Sequence, residues 1–120
     1  MSLWEYVVNS ARQLPTNPLV FIQDCVRNEY IFWTYHVNMR LQTRGIIRKI
    51  IIESVDNYQV IEEYPEDKYL PSFLIWTHYE KDVYHVLFAL DIENRNVRIV
   101  TAYRPDPVEW DYDLKRRKVK

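Results

Sequence analysis

Residues 72–91 read SFLIWTHYEKDVYHVLFALD, and this stretch decides the fold class. Ser72–Tyr79 and residues 83–91 are apolar runs rich in aromatic and β-branched side chains, which is typical of strands. The polar residues 80–82 between them are enough for one tight turn, so we predict an antiparallel hairpin. Residues 83–91 form the longest apolar run and are expected to lie at the centre of a sheet.

Two further strands are predicted on either side of this hairpin. Residues 58–64 follow Asp56 and Asn57 with a period near two, and residues 97–103 follow a turn at 93–96. Short turns between consecutive strands favour an antiparallel meander. The sequence therefore predicts a four-stranded antiparallel sheet.

The first half of the chain has helical periodicity instead. Asn17 followed by Pro18 fits the start of a helix, and Gly45 fits the left-handed position that ends one. The predicted helices cover residues 2–14, 18–28, 35–44 and 46–55. Residues 30–34, between the second and third helices, are a short apolar link, with a strand as the alternative. In the last of them, one stripe is expected to pack on the sheet: Ile47, Ile50, Ile51 and Ser54. We predict an α+β fold of one domain, with N-terminal helices packed on the sheet.

The composition excludes several classes of enzyme. Gly45 is the only glycine, so the chain has no glycine-rich phosphate loop, dinucleotide fingerprint or glycine-flanked nucleophilic serine. Cys25 is the only cysteine, which leaves no disulfide or cysteine-rich zinc site, and it is expected to be a core residue. No cofactor is expected. A zinc site of His36, His78 and His85 has no support from ligand spacing.

No targeting or membrane segment is expected from the sequence. The N-terminus lacks the basic start and the apolar run of a signal peptide. No apolar stretch approaches the ~20 residues of a membrane-spanning helix. We therefore expect a soluble protein located in the cytoplasm.

The charge is distributed unevenly along the chain. The formal net charge is -1, but five of the 16 basic residues lie among residues 115–120. The rest of the chain has 11 basic and 17 acidic residues, which excludes a globally basic nucleic-acid binder and still allows a local basic patch. Residues 115–120 are expected to form a loosely ordered tail that either binds phosphates or is simply solvated.

Three segments together resemble a known family. They read YHVNMR at 35–40 with TRGI at 43–46, YHVLFA at 84–89, and VTAYRPDP at 100–107. Their order and spacing are similar to the family called domain of unknown function 4258, over about residues 22–117. We accordingly divide the chain into a helical N-terminal extension, a family-like core and a basic tail: residues 1–21, 22–114 and 115–120.

The resemblance implies a fold, an activity and a partner. This family is placed among small folds related to RelE-type toxins and barnase-like nucleases, so a metal-independent endoribonuclease with an RNA substrate is expected. Several members are thought to be encoded beside an antitoxin with a zinc finger and a helix-turn-helix, so a protein antitoxin is the expected partner. A shared fold does not guarantee shared chemistry. The alternatives are a non-catalytic module that binds protein or RNA, and a structural partner in a larger complex.

His36, Arg40 and Arg44 are spaced by four residues, so they share one face of a predicted helix. RNA is cleaved when its 2′-hydroxyl attacks the adjacent phosphorus, which requires proton transfer and stabilisation of negative charge. His36 is the candidate base, because imidazoles titrate near neutral pH. Arg40 and Arg44 are candidate phosphate clamps. The alternative for all three is an ordinary solvated helix edge.

His85 lies inside a strongly apolar strand, where a polar ring needs a partner. It is the candidate second acid or base, expected to converge with His36 and guanidinium groups around one phosphodiester. The alternative is a core histidine with satisfied hydrogen bonds.

Thr101 and Tyr103 share a face of the last strand. For them the resemblance implies a hydroxyl that holds phosphate and a phenol that stacks a base or donates a proton; the alternative for Tyr103 is a sheet-edge aromatic. Strict alternation places three other residues on the opposite face: Arg98, Ala102 and Arg104.

Overall fold

The structure of the protein is a computed structural model, and it describes residues 14–119. The helix predicted over residues 2–14 therefore lies outside the described residues, except for Leu14, which belongs to no helix. Between residues 14 and 119, no helix is both long and apolar enough to cross a membrane.

The described residues form a five-stranded sheet with helices on one side. The strands are β1 (Ile31–Phe32), β2 (Gln59–Tyr64), β3 (Ser72–Tyr79), β4 (Asp82–Asp91) and β5 (Asn96–Tyr103), in the spatial order β1-β5-β4-β3-β2. The α+β class and all four predicted strands are confirmed. The prediction of a wholly antiparallel, four-stranded sheet is wrong, because β1 pairs parallel to β5 as a further edge strand. With only two residues, β1 is too short to show a strand period in the sequence.

Helices α1 (Pro18–Arg27) and α2 (Tyr35–Arg44) begin and end where the sequence predicts, to within one residue. The side chain of Asn17 accepts a hydrogen bond from the Val20 N–H at 3.2 Å and caps α1. Helix α2 ends at Gly45, whose φ of 67° is left-handed, a conformation in which a β-carbon would be strained.

Helix α3 (Arg48–Glu53) is shorter than the predicted helix over residues 46–55, and a 3-10 turn, Val55–Asn57, follows it. Ile47 precedes the helix and is 59% exposed, so its predicted place in the buried stripe is wrong. Ile50, Ile51 and Ser54 are buried as predicted. The stripe therefore starts one turn later than the sequence indicates.

The core lies between the helices and one face of the sheet. Strand β4 contributes Tyr84, Val86, Phe88 and Leu90 to it, because alternate residues of a strand point to the same side. The helices contribute buried apolar side chains from their inner faces: Ile22, Cys25, Val26, Val37, Leu41 and Ile51. The prediction that Cys25 is a core residue is confirmed.

Strand β5 contains a bulge at Val100. Leu87 of β4 pairs with Thr101, whereas the next residue, Phe88, pairs with Ile99, so the register shifts by one residue. Arg98 consequently lies on the opposite face from Ala102, and the prediction that they share a face is wrong. Strict alternation cannot hold across an inserted residue.

The face of the sheet away from the core is called the open face. Register places its side chains in three rows: Trp76, His85 and Tyr103 in the first, Leu74, Leu87 and Thr101 in the second, and Ser72, Ala89 and Arg98 in the third. Successive rows are two residues apart along a strand, about 7 Å. Sequence alternation alone did not say whether His85 and Thr101 meet, and this register places them on the same face.

Residues 110–117 fold back over the first row and are called the C-terminal hairpin. Trp110 pairs with Arg117 in an isolated bridge, and the Asp111 N–H donates a hydrogen bond to the Arg116 carbonyl at 2.8 Å. The Lys118 N–H donates to the Glu109 carbonyl at 2.9 Å. The expectation of a loosely ordered tail is therefore wrong for residues 115–118, because backbone pairing and cation–π contacts with Trp76 and Trp110 hold this segment in place.

Candidate functional site

A pocket of about 260 Å³ lies on the open face at the second row, and it is called the central pocket. Leu74 and Leu87 form its apolar floor. Its polar lining comes from strands β2 and β5, from residues 65–71, which form the loop before β3, and from the C-terminal hairpin. These polar residues are Glu62, Tyr64, Asp67, Thr101, Tyr103 and Arg117. Two carboxylates, two phenols, one hydroxyl and a guanidinium group therefore meet over the sheet, and such a surface can hold and protonate a polar ligand.

His85 lies directly beside this pocket and is 0% exposed. Its Nε2 is 2.6 Å from the Leu114 carbonyl oxygen, and its Nδ1 is 3.4 Å from the Tyr103 hydroxyl oxygen. Because a carbonyl oxygen can only accept, Nε2 carries the proton, and Nδ1 then accepts the hydrogen bond from the Tyr103 hydroxyl. The backbone of the C-terminal hairpin thus fixes the tautomer of the buried ring.

Burial also sets the protonation of this pair. Burial lowers the pKa of His85 and outweighs the opposing effects of the Leu114 carbonyl and the Glu62 carboxylate, so the ring is neutral at pH 7. Burial raises the pKa of Tyr103, which keeps the phenol protonated. At neutral pH the pair is therefore a phenol donating to a neutral imidazole.

Aromatic rings close the first row against solvent. The ring of Trp110 stands nearly perpendicular to that of His85, with centroids 4.4 Å apart, and the Tyr103 ring packs edge-on with a centroid distance of 5.4 Å. Trp110 itself is 2% exposed. His85 is not part of the lining of the central pocket, and its hydrogen bond with Tyr103 links it to that pocket.

Glu62 and Arg117 form an ion pair at the rim of the central pocket. Arg117 donates from Nε to Oε2 at 2.7 Å and from Nη2 to Oε1 at 3.2 Å, and the Tyr64 hydroxyl donates to the same carboxylate. Burial favours a higher pKa for Glu62, but the hydrogen bonds from Arg117 and Tyr64 outweigh it and lower that pKa. The carboxylate is therefore ionised and holds the guanidinium in place.

The same carboxylate keeps its two partners protonated. Burial raises the pKa of the Tyr64 phenol, and the hydrogen bond to Glu62 raises it further. The hydrogen bond to Glu62 also raises the pKa of Arg117. At neutral pH Arg117 therefore keeps its charge, and the Tyr64 phenol stays protonated with its one O–H donated to Glu62.

Arg44 reaches the second row from the end of α2. Its Nη1 donates to the Thr101 hydroxyl oxygen at 3.1 Å and to the Ala102 carbonyl at 2.8 Å. This edge of β5 is open because β1 ends at Phe32, which pairs with Arg98. Arg44 thus donates a hydrogen bond to a part of the β5 edge that β1 does not cover. It also brings a second guanidinium group beside the central pocket.

His36 lies elsewhere, at the exposed start of α2. It lines a separate pocket of about 480 Å³, called the upper pocket, which sits at the third row. Asp67 lines both pockets, so they are neighbours on one face. Arg40 is exposed on the helical turn between His36 and Arg44.

The structure therefore brings together Arg44, His85, Thr101 and Tyr103, and it places His36 in a different pocket. The two imidazoles expected to converge do not line a common pocket in the described part of the chain. The catalytic roles of all six candidate residues stay predictions. No cluster of three or more His, Cys, Asp or Glu side chains that could hold a metal ion is found in residues 14–119.

Sequence reasoning missed four polar residues of the central pocket: Glu62, Tyr64, Asp67 and Arg117. Glu62 and Tyr64 alternate along β2, which in hindsight is a signal for one face, but nothing in the sequence says which face that is. Arg117 was assigned to a loosely ordered tail that either binds phosphates or is solvated, and its partner Glu62 is 55 residues away. Long-range pairing of this kind leaves no mark in the local sequence.

Comparison with known proteins shows the family. No curated protein and no solved structure matches the chain significantly. The family model described as Domain of unknown function (DUF4258) matches residues 33–104, more than half of the chain. This match includes the segments 35–46 and 84–89 that carry the resemblance, and it is shorter than the predicted family-like core, residues 22–114. The chain belongs to the DUF4258 family.

Proposed function

We propose that the protein is a metal-independent endoribonuclease of the toxin type and that the central pocket is its active site. The observation that carries the proposal is the hydrogen-bonded series from the Leu114 carbonyl through His85 to the Tyr103 phenol. It ends in a pocket that also holds Arg117. A base with a fixed tautomer beside a fixed cation is what cleavage of RNA by its own 2′-hydroxyl requires.

The first half of the reaction removes the 2′ proton. The 2′-hydroxyl gives its proton to the Tyr103 oxygen as the proton of Tyr103 passes to Nδ1 of His85. The 2′ oxygen then forms a bond to phosphorus. The Leu114 carbonyl accepts a hydrogen bond from Nε2 and so stabilises the imidazolium that forms, as a carboxylate does in serine–histidine–aspartate triads.

The second half breaks the bond between phosphorus and the 5′ oxygen. Arg117 and Arg44 stabilise the negative charge that develops on the phosphoryl oxygens. The Tyr64 phenol exchanges its hydrogen bond to Glu62 for one to the leaving 5′ oxygen and gives that oxygen its proton. Solvent then returns a proton to Tyr64, and the His85 imidazolium releases to solvent the proton that it took up in the first half. The products are a 2′,3′-cyclic phosphate and a 5′-hydroxyl, and no electron transfer takes place.

Exposed residues of α2 extend this site along the open face. His36 and Arg44 are two helical turns apart, about 12 Å at the rise of an α-helix, with Arg40 between them. In this proposal Arg40 contacts a phosphate beside the scissile one. His36 positions the RNA chain rather than acting as the base, because it does not line the central pocket.

A non-catalytic binding module is the second candidate function. Two observations favour it: the C-terminal hairpin buries His85, and Glu62 already neutralises Arg117. In that case the pockets of the open face bind a ligand without changing it. The two functions differ in whether Tyr103 is needed for a chemical step.

The experiment is an RNA cleavage assay in EDTA with purified protein. Tyr103→Phe removes one hydroxyl group, and Tyr112→Phe is the matched control because Tyr112 is 99% exposed and lines no pocket in the described residues. We expect wild type and the control to release cyclic-phosphate ends. Tyr103→Phe should cleave RNA about 100- to 10,000-fold more slowly than wild type, which is the usual contribution of general acid–base catalysis. Folded wild-type protein that leaves single-stranded and ribosome-bound RNA intact would contradict the nuclease proposal.

The proposal includes a protein antitoxin as partner, because a toxin-type nuclease must be neutralised in the cell that makes it. Expression of the chain alone should then arrest growth, and expression of Tyr103→Phe at the same level should not. Co-purification with the product of a neighbouring gene that carries a zinc finger and a helix-turn-helix would identify the partner. The relation to RelE-type and barnase-like nucleases stays a prediction.

A further inference from the structure

We propose that the upper pocket binds the nucleobase next to the scissile phosphate and that it prefers guanine. This inference rests on the proposed function, because it assigns a subsite of the same RNA substrate. The upper pocket contains none of the groups that carry out the proposed reaction, so its purpose is otherwise unexplained.

The position of the upper pocket fits a base attached to the reacting phosphate. The third row lies one step along the strands from the second row, about 7 Å away. Asp67 lines both pockets, so the path between them runs over one side chain. A base joined to the phosphate through its ribose can therefore enter the upper pocket while the phosphate occupies the central pocket.

The shape of the upper pocket fits a flat, partly apolar ligand. Its volume of about 480 Å³ falls within the range of ~300–1,000 Å³ that is usual for small-molecule sites. Its floor is apolar, with Ala89 and Val100 from the sheet and Leu70 from the loop before β3. The bulge at Val100 places an additional residue there, so the sheet itself shapes the floor.

Two rings stand at the rim of this floor. His36 is exposed at the start of α2, and Tyr69 of the loop before β3 is 83% exposed. The Lys68 ammonium lies 5.2 Å above the Tyr69 ring, which orients the phenol and adds positive charge. Aromatic faces of this kind stack on bases, and each such contact contributes ~1–3 kcal/mol of binding in single-strand binding proteins.

The polar groups of the pocket favour one base. Asp67 is the carboxylate of the lining, and the Ser72 hydroxyl donates a hydrogen bond to its Oδ2. An ionised carboxylate only accepts hydrogen bonds. Guanine has two adjacent donors on its Watson–Crick edge, at N1 and at the exocyclic N2. Adenine, cytosine and uracil each place an acceptor next to a donor there, so one carboxylate cannot accept from them twice.

The far wall of the pocket carries a cation for the phosphate that follows. The Arg98 guanidinium is held by Asp91 at 3.2 Å and lies 5.8 Å from the centre of the Phe32 ring. Arg98 is nonetheless half exposed and lines the upper pocket. A nucleotide in the pocket would therefore have its base at Asp67 and a phosphate within reach of a fixed guanidinium.

The test measures binding of the four nucleoside 5′-monophosphates to the full-length chain by calorimetry. Binding does not require cleavage, so this test is separate from the RNA assay. We expect guanosine monophosphate to bind about tenfold or more tightly than adenosine monophosphate, the discrimination of one bidentate contact. Asp67→Asn should abolish this preference, and Tyr69→Ala should weaken the binding of all four nucleotides.

The matched control is Glu66→Gln, which removes a negative charge from the same loop at a residue outside the pocket lining. It should keep the preference for guanine. Equal binding of the four nucleotides, or a preference that survives Asp67→Asn, would overturn the inference. If guanosine monophosphate binds as expected while wild-type protein leaves RNA intact, the pocket assignment stands and the proposed nuclease activity fails.

Discussion

The two ends of the open face differ in what covers them. The first row lies under the C-terminal hairpin, where Trp110 and the Leu114 carbonyl hold a fully buried His85. The third row is open and is bordered by the start of α2 and the loop before β3. A buried end can fix a tautomer and a proton position, and an open end can admit a ligand. His85 and His36, which were expected to act together, therefore lie in separate environments: one is buried at the first row and the other is exposed at the third.

The largest expected effect comes from removing the cover of the first row. Trp110→Ala deletes a ring that is 2% exposed and packs on His85. We expect a loss of ~3–5 kcal/mol in the free energy of unfolding, typical of a large aromatic side chain replaced by alanine. Urea unfolding of Trp110→Ala beside Tyr112→Ala, an exposed aromatic of the same hairpin, measures it. Equal stability of the two variants would show that the hairpin does not hold the first row closed.

Arg117→Met tests the cation between the two ends. It keeps much of the side-chain volume and removes both hydrogen bonds to Glu62. We expect the RNA cleavage rate to fall about 100- to 1,000-fold, the effect of losing one preorganised donor in an active site. The control is Arg116→Met, its exposed neighbour, which should keep the wild-type rate. Equal rates for both variants would remove Arg117 from the site.

The pH dependence of stability tests the burial of His85. Burial lowers the pKa of His85 below 6.5, so the unfolded chain binds a proton first as the pH falls. The free energy of unfolding should therefore decrease as the pH falls below about 6.5 and should not depend on this residue above it. His85→Phe should remove this part of the slope between pH 7 and 5. Parallel curves for the two proteins would contradict the assignment.

The smallest effect concerns how the hairpin is docked. The Lys115 ammonium lies 4.4 Å above the ring of Trp76 in the first row. Lys115→Gln should cost ~0.5–1 kcal/mol of unfolding free energy, the usual size of an exposed cation–π contact. Lys118→Gln serves as the control, because the contact described for Lys118 is a backbone hydrogen bond from its N–H to the Glu109 carbonyl, which the substitution keeps. A loss equal in both variants would indicate a general charge effect.

Local signals in the sequence predicted most of the fold. The β3–β4 hairpin followed from two apolar runs and one short turn, and α2 followed from its period and Gly45. Residues 30–34 were predicted as a short apolar link with a strand as the alternative, and β1 forms within them. The parallel pairing of β1 with β5 and the bulge at Val100 could not be predicted, because both arise from pairing between distant segments. A two-residue strand has no period, and a bulge is defined only against a partner strand.

The candidate site was predictable only in part. His85, Thr101, Tyr103 and Arg44 were selected from the sequence. The register places the first three on one face of the sheet, and Arg44 reaches Thr101 from the end of α2. Glu62 and Arg117 were not selected, because their pairing spans 55 residues. The Leu114 carbonyl could not be selected either, since a backbone acceptor has no sequence signature.

The most direct test is the ¹⁵N NMR spectrum of the His85 ring from pH 5 to pH 8. Both the proposed mechanism and the comparison of the two ends depend on a neutral ring whose proton sits on Nε2. We predict that Nε2 is protonated and Nδ1 is an acceptor at pH 7, and that Tyr103→Phe shifts the Nδ1 signal. A proton found on Nδ1, or an imidazolium at pH 7, would contradict the proposed proton transfer from Tyr103 to His85.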